Sequence, residues 1–116
     1  MDNKIHALVQ KLIERTNQGK VNWEPTANAG TFQAAFPSYS VHIFKHKNFD
    51  YDQTEDYFIT LHDQEGEMID EISDNQLKDT GFENAYQRVA HLYNEARRKA
   101  MGVNQVIDDL LSQLGD

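Results

Sequence analysis

Ile5, Leu8, Val9, Leu12 and Ile13 recur at i, i+3, i+4 and i+7, the spacing that lays one apolar stripe along a helix. Asp2 or Asn3 supplies a side-chain oxygen for a first-turn N–H, and Gly19 stands just past the stripe, where a left-handed C-terminal cap belongs. From about Val21 to Ser73 the period changes from helical to two. Val21 and Trp23 alternate with Asn22 and Glu24, and Phe32, Ala34 and Phe36 with Thr31, Gln33 and Ala35. Pro25 marks a strand end or edge, because it cannot donate to a ladder.

Tyr39 to Lys47 and Tyr57 to His62 carry the clearest alternation. In the first, Tyr39, Val41 and Ile43 point one way, and Ser40, His42, Phe44 and His46 the other. In the second, Tyr57, Ile59 and Leu61 oppose Phe58, Thr60 and His62. Asp63-Gln64-Glu65-Gly66 is a short hairpin loop, and Met68 to Ile72 returns from it. Connections this short predict antiparallel neighbours.

Helical spacing then resumes in Phe82, Ala85, Tyr86, Val89, Leu92, Tyr93, Ala96 and Ala100, with Thr80 and Glu83 at capping-box spacing. Arg97, Arg98 and Lys99 suit the negative end of that helix's macrodipole. After Gly102 a short helix presents Val106, Ile107, Leu110, Leu111 and Leu114. The predicted fold class is α+β: a four- or five-stranded antiparallel β-meander with an N-terminal helix and two C-terminal helices.

The 116 residues fit one domain. With 39% apolar and 26% charged residues, the chain has a folded domain's composition rather than a disordered tail's. It holds no cysteine, so disulfides, thiolate catalysis and cysteine-ligated zinc are excluded. The start of the chain lacks an apolar signal segment and no run reaches the ~18 residues of a membrane span. The expectation is a cytoplasmic protein with no membrane partner. A net charge of −8 opposes binding to phosphate backbones, so nucleic acid is not an expected ligand. Arg88, Arg97, Arg98 and Lys99 form a basic group on the long helix that capping and i, i+4 pairing explain.

His42 and His46 are four apart, but on a strand that places them roughly 13 Å apart, too far for one zinc ion. His42 and His62 could face each other on neighbouring strands, where sheet-surface histidines are the simpler reading. Asp50 to Asp56 resembles a calcium loop faintly, yet Glu55 and Leu61 stand where that motif needs its glycine and its bidentate glutamate. No phosphate loop or nucleophile elbow occurs. No cofactor and no catalytic residue is assigned.

The charge layout is more informative. Between Asn48 and Leu77 lie ten acidic residues and no Lys or Arg, either a solvated face or a docking surface for a basic partner. By alternation Phe44 and Phe58 share a face with His42 and His62. If helices cover the other face, this one carries aromatics among polar groups. The candidate interaction surface is therefore Trp23, His42, Phe44, Phe58 and His62, with Asp63, Glu65 and Glu67 on the hairpin. The last helix is too short to be stable alone, so Val106, Leu110, Leu111 and Leu114 must dock. Docking on their own domain is the first expectation, and a homodimer the second.

The stretch Glu14-Arg15-Thr16-Asn17-Gln18-Gly19-Lys20-Val21-Asn22-Trp23 before a meander resembles small bacterial proteins of helix, β-meander, helix layout. The segment Ala96-Arg97-Arg98-Lys99-Ala100-Met101-Gly102 before an acidic leucine helix is similar to them too. The resemblance implies a bacterial origin and this fold, and attaches no activity or residue role. The leading functional expectation is a non-enzymatic accessory or protein-interaction protein. The alternative is a small-molecule-binding module or small enzyme with a pocket near Trp23, His42, Phe44, Phe58 and His62.

Overall fold

The computed structural model describes residues 4–47 and 55–115. Helix α1 (Lys4–Asn17) leads into strands β1 (Trp23–Pro25), β2 (Phe32–Ala35), β3 (Ser40–Lys47), β4 (Glu55–His62) and β5 (Met68–Ser73). Helices α2 (Asp74–Asp79), α3 (Ala85–Ala100) and α4 (Val103–Leu114) follow. The five strands lie side by side in chain order, each antiparallel to the next. The α+β meander expected from the alternation is the fold. Among the described residues no helix is long and apolar enough to cross a membrane.

One sheet face is covered by helices, and no described helix covers the other. Trp23, Ala34, Val41, Ile43, Ile59 and Ile72 fall on the covered face in register across the strands, and all are buried. Helix α3 packs along strands β1 to β4, α2 closes the β4–β5 corner, and α1 packs on α3. Val9, Leu12 and Ile13 of α1 and Val89, Leu92 and Ala96 of α3 complete the core. Each such aliphatic side chain contributes roughly 1.5–3 kcal/mol by leaving water, which is why the period-two and period-3.6 patterns face each other. Helix α1 ends as its sequence suggests. The N–H groups of Gly19 and Lys20 donate to the carbonyls of Thr16 and Arg15 at 3.0 and 2.9 Å, the paired bonds of a Schellman cap.

The α1–α3 contact is polar at its rim. His6 Nε2 lies 2.7 Å from Thr80 Oγ1, and the ring meets Phe82 edge-on. Arg88 lies over the Phe82 ring and donates to Gln10, and His91 Nε2 lies 2.8 Å from Asn17 Oδ1. Arg88 thus faces α1 and stands apart from Arg97, Arg98 and Lys99, which occupy the last turn of α3.

Three expectations are corrected. The C-terminal part holds three helices rather than two, because Asp74–Asp79 is helical. Its capping box is Ser73 with Gln76. Ser73 Oγ accepts from the Gln76 N–H at 3.1 Å, and Gln76 Oε1 accepts from the Ser73 N–H at 3.0 Å. Thr80 and Glu83 do not form one. Thr80 ends α2, its hydroxyl donating back to the carbonyls of Gln76 and Leu77, and α3 begins only after Asn84, which is left-handed at φ 55°. Third, α4 does not dock on its own core: it has no buried residue. Asp2 and Asn3, named above for a cap, and residues 50–54 of the calcium-like loop lie outside the described residues.

Candidate interaction face and its histidine cleft

Phe44, Phe58, His42 and His62 come together on the uncovered sheet face. Phe44 and Phe58 are direct partners across β3 and β4, and their rings stack with centroids 5.4 Å apart and planes 19° apart. His42 pairs with Thr60, and His62 with Ser40. The two imidazoles bridge that diagonal and stack at 4.0 Å. None of these rings is covered by a described helix; each is half-buried by its neighbours on the face. Thr60, between the stacks, is only 4% exposed.

Two hydrogen bonds hold the His62 ring. Its Nδ1 lies 3.2 Å from the Gly66 carbonyl, which can only accept, so Nδ1 carries a proton. Its Nε2 lies 2.9 Å from the Thr60 hydroxyl. Ser40 Oγ lies 3.4 Å from His42 Nε2, at the long end of hydrogen-bond range. Burial, followed by the neighbouring His62, holds the His42 pKa below 6.5.

The hairpin adjoins this stack. Asp63 Oδ1 accepts from the N–H groups of Glu65 and Glu67 at 3.0 and 2.9 Å, and Gly66 takes φ 84°, a conformation that a residue with a Cβ adopts at a cost. Asp63 is thereby committed to shaping the turn, while Glu65 and Glu67 are exposed. Gln64 Nε2 donates to the Pro37 carbonyl at 3.1 Å and ties this hairpin to the β2–β3 turn. Together they wall an open cleft of about 430 Å³, with His42, His62, Ser40 and Gln33 on its sheet side.

Trp23 is not part of this surface. It lies on the covered face, 2% exposed, and its Nε1 donates to Thr16 Oγ1 at 3.0 Å. The alternation placed Trp23 on a strand without fixing which face it shared. Among the described residues no three His, Asp or Glu converge as a metal site.

Sequence reasoning missed two places. Asp74 is buried, and its Oδ1 accepts from the Tyr57 N–H at 2.8 Å, replacing a ladder bond where β5 gives way to α2. Burial raises its pKa, opposed mainly by that hydrogen bond. The Ser-x-x-Gln spacing beginning at Ser73 was the available signal. The second is an apolar groove of about 530 Å³ between α1 and strands β3 to β5, lined by Leu8, Leu12, Phe36, Tyr39, Leu61 and Ile69. Its walls come from segments distant in sequence, so no local pattern announces it.

The stripe of α4 is solvent-facing. Val106, Ile107 and Leu110 are 43–50% exposed, and Leu111 and Leu114 are 63% and 79% exposed. No family model matches the chain, and no curated protein and no solved structure matches it either.

Proposed function

We propose that this protein is a non-enzymatic interaction module that binds another protein through the uncovered sheet face and the adjoining acidic hairpin. The observation that supports this most is the pair of stacks, His42 on His62 and Phe44 on Phe58, on a face no described helix covers. Aromatic rings with little freedom left to lose are the side chains that anchor interfaces. Glu65 and Glu67 beside them favour a basic partner and give the encounter a salt dependence. Association through α4, as a homodimer, belongs to the same reading.

Affinity purification of the tagged chain from a lysate of its own host, at low and high salt, tests this. A partner should be retained at low salt, and its yield should drop when Phe44→Ser and Phe58→Ser are introduced together. A partner retained equally by this doubly substituted chain, or equally at both salt concentrations, contradicts the reading.

The His42–His62 cleft favours a second reading, a small-molecule site of modest size. A metabolite panel separates the two. A ligand that binds only the folded state raises its melting temperature, and this reading expects such a rise with a dependence on His42 and His62. The first reading expects none.

A further inference from the structure

Among the described residues, an apolar groove has no occupant and an apolar helix has no buried side chain. The groove is the one beside α1; the helix is α4, which packs on the end of α3 and, at its first turn, borders the C-terminal end of α1. The radius of gyration is 15.7 Å, against roughly 13 Å for a closely packed chain of this length, and the longest extent is 56 Å. We propose that α4 lays its stripe in the groove of a second copy of this chain, and that the second copy returns the contact, giving a two-fold dimer.

Three observations select a second copy. The first is charge. Helix α4 contains Asp108 and Asp109 and no basic residue. On α1, Lys11 and Arg15 stand three residues beyond groove-lining Leu8 and Leu12, on the same side of the helix. On the opposite side, Asp70 of β5 is the register partner of groove-lining Leu61 and is acidic. A helix whose charges are all negative is drawn to the α1 rim and repelled from the β5 rim, which fixes how it lies.

The second is area. A stripe of five large aliphatic residues at these exposures amounts to several hundred Å², the upper range for a patch on a monomer. Two such stripes put on the order of 1,000 Å² into a two-fold interface, the size that a specific interface should clear. A single reciprocal exchange is therefore enough.

The third is the junction. Gly102, at φ 62°, and the Arg98 Nη2 bond to Asn104 Oδ1 at 3.3 Å set the direction in which α4 leaves α3. Seating α4 in its own groove requires that this junction be rebuilt. Seating it in a neighbour's groove leaves the junction as it stands. This inference rests on the reading of α4 as an association helix, and adds the surface that receives it.

Sedimentation equilibrium of the full chain tests both parts separately. The wild type should sediment at twice its 13.4 kDa. Leu111→Asp, on the arm, and Ile69→Asp, on the groove, should each sediment as a monomer. Both sites are exposed, so circular dichroism should show each variant folded. Mixing the two variants should give a weaker dimer than wild type, seen at higher concentration, because one arm and one groove remain intact between them. A wild type that is monomeric at all concentrations, or a dimer that survives Leu111→Asp, overturns the association role of α4. A dimer that is lost with Leu111→Asp but survives Ile69→Asp overturns the groove alone and indicates arm packing on arm.

Discussion

The His42 and His62 imidazoles stack with centroids 4.0 Å apart and 30° between their planes, although Ser40 and Thr60 are their register partners. The diagonal pairing follows from strand twist and from the two bonds that hold His62. Because burial and His62 both hold the His42 pKa below 6.5, the unfolded chain takes up that proton first. Stability linked to His42 is therefore constant above the unfolded value, and is lost as pH falls from there toward the folded value. His62→Gln removes one of the two causes. The His42 pKa, followed by NMR titration of its ring protons, should rise toward 6.5; an unchanged value would mean that burial acts alone.

Asp74 has the opposite sign. Its pKa is raised in the folded chain, chiefly by burial, so the folded state holds the proton more tightly. Its contribution is fully present at low pH and is lost as pH rises from 3.8 through the folded value. Asp74→Asn keeps an acceptor for the Tyr57 N–H and removes the charge. It should be at least as stable as wild type at neutral pH, with that advantage disappearing in acid. Asp74→Ala leaves the N–H without its partner and should cost about 1–3 kcal/mol by urea denaturation.

Thr16→Val tests the buried bond from the Trp23 indole. The side chain is nearly isosteric but accepts nothing, so the Trp23 N–H stays buried and unmet. A loss of about 1–3 kcal/mol is expected, with an unchanged denaturant slope. A loss near zero would show that water reaches the indole.

The Phe44–Phe58 stack lies on the open face, where burial is partial. A double-mutant cycle with Phe44→Ala and Phe58→Ala should give a coupling of about 0.5–1.5 kcal/mol. No measurable coupling would mean that the rings lie together without stabilising one another.

Alternation alone separated Val41, Ile43 and Ile59 from His42, Phe44 and Phe58, since a pleated strand leaves a side chain only two directions. The face shared by the histidines and phenylalanines was legible for that reason. Trp23 was not, because a three-residue strand beside a proline is too short to show which face its partner presents. Helix α2 was missed for a similar reason: six residues are less than two turns, and Leu77 is its one buried apolar side chain. The bond from Tyr57 to Asp74 and the groove between Leu8 and Ile69 join residues far apart in the chain. Such contacts are set by tertiary packing, on which local periodicity is silent.

The α1–α3 contact also has a history in time. Every strand finds its neighbour within a few residues, so the sheet can zip up while the chain is still being made. His6, however, meets Thr80 across 74 positions. At a synthesis rate of roughly 5–20 residues per second, the apolar stripe of the first helix waits several seconds on the ribosome for its counterpart. During that interval it is a ready substrate for chaperones, and slowing translation between β5 and α3 lengthens the exposure.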